Sequence, residues 1–112
     1  MPDIPSFLHL SNEPRELADV QPPLRFACTE AEWHYVNDIV EDVWYEVRFR
    51  RASAWDGSFS DVIKAEYQIE RFANELVEML TRCDVHEEAV RDWLVTFRHK
   101  TDQAEREQYD QG

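Results

Sequence analysis

Glycine is almost missing from this chain: Gly57 and Gly112 are the only two in 112 residues. An all-β fold needs many tight turns, and a phosphate-cradling loop needs glycines whose backbone can approach the ligand. The count therefore excludes P-loop and dinucleotide-binding architectures. Cysteine is as scarce, and Cys28 and Cys83 show neither metal-ligand nor redox spacing. Lysine is reduced to Lys64 and Lys100, so that ten of the twelve basic residues are arginine. No apolar run approaches the roughly 20 residues of a membrane-spanning helix. The opening MPDIPSFLHLSNEP lacks the basic segment and apolar core of a secretory signal. These absences lead to the expectation of a cytoplasmic protein with two reduced thiols, no cofactor and no membrane contact.

What the chain has in excess is acid. Asp and Glu number 24 against 12 Lys and Arg, a formal net charge of −12. The surplus is two in residues 1–28, three in 29–52, three in 53–83 and four in 84–112, so the whole body is negative rather than one tail. Such a body repels a nucleic-acid duplex or an anionic lipid surface, and a protein with a basic surface is the expected partner. A length of 112 residues, 43% of them apolar and 12% aromatic, suits one domain with a real core, and residues 1–112 are expected to form it.

All five prolines fall in residues 1–28, which predicts an extended arm. Within it, SNEPRELADV could form one or two helical turns, capped by Ser11 or Asn12 with Pro14 in the first turn. Phe7, Leu8, Leu10, Leu17, Val20, Leu24 and Phe26 make the arm apolar enough to lie on the body or on a partner subunit. Thr29 followed by Glu32 is a capping box, and Trp33, Val36, Val40, Val43 and Val47 recur at helical spacing, predicting a helix over 29–52. Residues 43–50 also alternate as a strand would. Asp56-Gly57 signals a turn, with Ser58 or Ser60 to cap the next helix. Val62, Ala65, Ile69, Phe72, Leu76 and Leu80 then predict that helix over 61–82. Asp84 as cap, Glu87 completing its box, and Val90, Trp93, Leu94 and Phe97 predict a third over 84–106, its end a solvated extension. The expected fold is all-α: a small three-helix bundle, with a short fourth helix possible, and a Pro-rich N-terminal arm. Trp44, Tyr45, Tyr67 and Val77 lie partly off the stripes, which points to a homodimer or a bound partner.

Asp38, Asp42 and Glu46 stand at i, i+4 and i+8, with Glu41 beside them. Like charges at that spacing oppose one another by a few tenths of a kcal/mol per pair, about 0.2–0.5, so helix stability does not ask for them. Glu66 and Glu70 repeat the pattern. A solvated face explains such ridges simply. A sharper explanation is a row of carboxylates that imitates a phosphate backbone and enters the basic groove of a nucleic-acid-handling protein. A third is a divalent-metal site. ELVE, with Glu75 and Glu78, resembles the first half of the ExxE and ExxD pair of the MazG-type nucleotide pyrophosphohydrolases; the second half would be EAVRD, Glu88 to Asp92, which has one residue too many. That resemblance implies magnesium and nucleotide hydrolysis.

Other chemistry is thin. His34 follows Glu30 by four residues, a pair too small to suggest a di-iron centre. Cys83 at a helix C-terminus should have a raised pKa. Arg48, Arg50 and Arg51 are expected to complement the end of the first helix, with Arg50 reaching back to Glu46. Trp55 in the loop beyond is either a plug over the helix ends or an exposed contact. The expectation is a non-enzymatic acidic interaction protein, an inhibitor or modulator of a basic nucleic-acid-binding partner. Anti-defence proteins of phages or mobile elements and nuclease immunity proteins are the analogous classes. The candidate contacts are Asp38, Glu41, Asp42, Glu46, Trp55, Glu66 and Glu70. The alternatives are an assembly component held as a helical dimer, and the magnesium-dependent hydrolase.

Overall fold

The computed structural model describes residues 13–111, and their side chains as far as Gln108. Three helices dominate it: α1 Glu30–Trp55, α2 Phe59–Arg82 and α3 Glu87–Gln111. A two-stranded antiparallel sheet precedes them, β1 Glu13–Leu17 and β2 Leu24–Cys28, in register from Glu13 opposite Cys28 to Leu17 opposite Leu24. Cross-helix contacts set the directions. Arg98 meets Glu66 and Arg91 meets Asn74, so α2 and α3 are antiparallel. Val43 and Leu94 line one cavity while Arg51 meets Asp102, so α1 and α3 run the same way.

The sheet corrects two expectations. The segment holding Pro14 is a strand and not a helical turn, and among the described residues there is no fourth helix. Proline is tolerated because a two-stranded sheet consists only of edges. The strand signal lies in the second half of the segment: Leu24, Phe26 and Cys28 alternate with Arg25 and Ala27, and the first set turns inward. Leu17 is buried on β1, and the Arg15 guanidinium lies 5.6 Å from the Trp33 ring. The expected contacts of Phe7, Leu8 and Leu10, and the caps Ser11 and Asn12, lie outside the described residues.

The helix ends obey local chemistry. The capping box of α1 forms in both directions, Glu32 N–H donating to Thr29 Oγ1 at 3.2 Å and Thr29 N–H to Glu32 Oε1 at 2.9 Å. Residues 43–50 are helical: Val43 and Val47 are buried, and Tyr45 and Phe49 face outward. The helix runs past residue 52 to Trp55, where Gly57 N–H donates to the Ala54 carbonyl and Ser58 N–H to that of Ser53. That is a Schellman cap, and Gly57 supplies its left-handed residue at φ 77°. Ser58 stands at the start of α2, with its hydroxyl on Asp61 rather than on the backbone. The second cap is of the same kind but uses Asp84 at φ 63°, with Val85 N–H donating to Leu80 O. Asp84 therefore ends α2 instead of starting α3, which begins at Glu87.

The apolar core is contributed by Val36, Ile39, Val43 and Val47 of α1, Ile69, Leu76 and Leu80 of α2, and Val90, Trp93, Leu94 and Phe97 of α3. The hairpin closes it with Leu17, Val20, Phe26 and Cys28. Fully buried leucines such as Leu76 and Leu80 are worth about 1.5–3 kcal/mol each. Beyond Val47 the filling changes. Ser53, Ala65, Thr101 and Glu105 are buried there. The stripe of α3 thus continues from Phe97 through Thr101 to Glu105 as polar groups, and the expected solvated extension packs on α1.

Candidate interaction surface

Asp38, Glu41 and Asp42 project from the exposed side of α1. Among the described residues, no cation stands within ion-pair distance of any of them or of Glu46. Glu46 is half-buried, and burial pushes its carboxyl above the usual range, with the Asp42 charge adding to the rise. The Asp42–Glu46 pair therefore carries the mutual repulsion its spacing implies.

The same face carries aromatic surface that the ridge argument misses. Tyr35 precedes Asp38 by three residues, Tyr45 follows Asp42 by three, and Phe49 follows Tyr45 by four. Their exposures are 45%, 55% and 48%. The available signal is that these apolar residues fall at helical spacing on the polar side of the stripe. Tyr45 is steadied by an edge contact with Trp44, ring centres 4.9 Å apart.

Glu66 and Glu70 do not extend this ridge. Glu66 is drawn into the bundle, where Arg50 of α1 and Arg98 of α3 both donate to its Oε1. Arg50 thus reaches across to α2 rather than back to Glu46. Glu70 stays exposed, with Arg91 at 4.0 Å, and Glu75 and Glu78 each have an arginine four residues away in the chain, Arg71 and Arg82.

The arginine cluster is a clamp. Arg51 donates from Nε and Nη2 to the two carboxylate oxygens of Asp102, at 2.7 and 2.5 Å. That fork holds the Asp102 carboxyl below its ordinary range. Arg48 donates to Glu105 and lies 4.5 Å from the Trp44 ring centre. Because α1 continues to Trp55, none of the three arginines is in its last turn, so they join helices instead of capping one. Trp55 is the last residue of α1, not a loop residue, and is 63% exposed.

Both thiols are free. Burial, with the nearby Glu32 carboxylate, pushes Cys83 up to about 11. Cys28 is raised too, by burial, against the opposing charge of Arg15. Both shifts run away from the lowered pKa that activates a cysteine as a nucleophile. His34 lies 3.7 Å from Glu30, on one helical face with it. Among the described residues, no three His, Cys, Asp or Glu side chains converge where they could hold a metal ion, so Glu75, Glu78, Glu88 and Asp92 form no such group. No described helix is long and apolar enough to cross a membrane. Compared with family models, with curated proteins and with solved structures, the chain matches none.

Proposed function

We propose that this chain is a non-enzymatic interaction protein that lays the outer face of α1 on a basic protein surface. The observation that carries the reading is the set of four neighbouring carboxylates, Asp38, Glu41, Asp42 and Glu46, which meet no cation among the described residues while arginines elsewhere answer Glu66, Asp102 and Glu105. Carboxylates about 6 Å apart along one helix present a regular row of negative charge. Tyr35, Tyr45 and Phe49 beside them add apolar contact of the kind that dominates binding energy. A groove evolved for nucleic acid offers the matching features, a track of cations with surfaces for stacking. The chain then acts as an inhibitor or modulator of a nucleic-acid-handling partner by occupying that groove.

The test is a tagged pull-down from nuclease-treated lysate, eluted in salt steps and run beside the triple variant Asp38→Lys, Asp42→Lys, Glu46→Lys. The expected result is a basic nucleic-acid-binding protein that the parent chain retains, moderate salt releases, and the folded variant fails to capture. A partner held equally by the variant, or indifferent to salt, overturns the reading.

A further inference from the structure

Phe59, Ile63 and Tyr67 of α2 are 76%, 69% and 70% exposed. They succeed one another at intervals of four, so on the helix they form one continuous ridge of the i±4 type. This ridge is on a different helix from the acidic row, and its chemistry is different. Residues 59–72 hold Asp61, Glu66 and Glu70 against Lys64 and Arg71, and Glu66 is already held by Arg50 and Arg98. The surplus negative charge of the molecule is therefore weak at this place. A basic partner finds little to attract it, and a second copy of the same acidic chain meets little repulsion here.

The ridge is self-complementary about its centre. With a two-fold axis between the copies, beside Ile63 and across the helices, Phe59 of one copy meets Tyr67 of the other, the same pair recurs by symmetry, and Ile63 meets Ile63. Interleaved i±4 ridges are the commonest way two helices pack, and an isologous dimer needs one patch that fits itself. The exposed parts of the three side chains offer roughly 400 Å² per copy, given the 150–250 Å² that an aromatic residue buries. A standard interface takes roughly 800 Å² per partner. The three side chains supply about half of that, so the pairing is reversible rather than obligate. We infer that the Phe59–Ile63–Tyr67 ridge is the interface of a symmetric homodimer, which leaves the acidic face of α1 on each copy outside the contact.

The experiment is sedimentation equilibrium of the full chain over micromolar concentrations, with Ile63→Asp beside it. Residue 63 is exposed in the second turn of α2, so the substitution leaves the core untouched; an unchanged circular dichroism spectrum checks this. The expected result is a monomer–dimer equilibrium in the parent whose Kd rises by roughly 30-fold or more in the variant, the effect of about 2 kcal/mol. Mild oxidation of Ile63→Cys should then cross-link two chains, while Val95→Cys, equally exposed at 69%, should not. A parent that stays monomeric throughout, a dimer that Ile63→Asp leaves intact, or equal cross-linking at both positions overturns the proposal.

Discussion

Two neighbouring segments of α1 treat charge in opposite ways. Residues 48–51 hold three arginines, and each meets a carboxylate on another helix: Glu105, Glu66 and Asp102. Residues 38–46 hold four carboxylates, and among the described residues none of them meets a cation. The segments also differ in what lies beneath them. Under the acidic row runs the apolar core, with Ile39, Val40 and Val43. Under the arginines the core gives way to Ser53, Ala65, Thr101 and Glu105. Where apolar burial holds the helices together, the outer carboxylates stay without cations among the described residues. Where it runs out, charge is drawn inward to join the helices.

The largest expected effect breaks the clamp at its most buried point. Glu105 has a side chain only 10% exposed, and Arg48 is its guanidinium. Arg48→Met keeps the stem over Trp44 but strands the carboxylate. Denaturant unfolding should show a loss of about 2–4 kcal/mol, since an uncompensated buried charge costs several times a surface pair. Glu66→Gln comes next. It strands two arginines that are each about a third exposed, so water shares the burden and the loss falls to about 1–2 kcal/mol.

The pH dependence of the two segments should be opposite in sign. Asp102 is held below its ordinary range by Arg51, so its stabilisation is present above the unfolded carboxyl pKa, about 3.9, and is lost as pH falls through the folded value. Asp102→Asn should therefore be less stable than the parent at neutral pH and approach it in strong acid. Glu46 is raised by burial and by Asp42, so the folded state takes up its proton first. Its contribution is favourable at low pH and is lost as pH rises through the folded pKa. Glu46→Gln should gain a few tenths of a kcal/mol at neutral pH, about 0.2–0.5, and the gain should vanish on acidification through the carboxylate range. Urea titrations across pH would check both variants.

How much of the molecule was legible in its sequence depends on the range of each interaction. The Thr29–Glu32 box spans three positions and the Asp56-Gly57 turn is as local, and both were readable. The apolar stripes located three helices for the same reason. The hairpin was obscured because five prolines argue against helix without saying what replaces it, and the period-two signal in Leu24, Phe26 and Cys28 is only five residues long. The clamp was not legible at all. Arg50 had a local carboxylate four residues back in Glu46, yet it pairs across 16 residues with Glu66, and Arg48 pairs across 57 with Glu105. Bundle geometry selects such partners, and sequence spacing does not encode it. The same gap hid Thr101 and Glu105, polar residues in the line of an apolar stripe. The row from Asp38 to Glu46 was readable as a pattern. Its distinction from Glu66, which has the same spacing to Glu70, required knowing where the arginines go.

The central claim is that the carboxylates divide into those the fold uses and those it does not. The most direct measurement is the melting temperature, at low salt and neutral pH, of Asp42→Asn beside Asp102→Asn. Each removes one negative charge from the same acidic molecule. Asp42→Asn should melt at or slightly above the parent, and Asp102→Asn several degrees below it, at roughly 4–8 °C per kcal/mol for a chain of this size. A comparable loss in both variants would mean that the α1 row is structural, and would contradict the account.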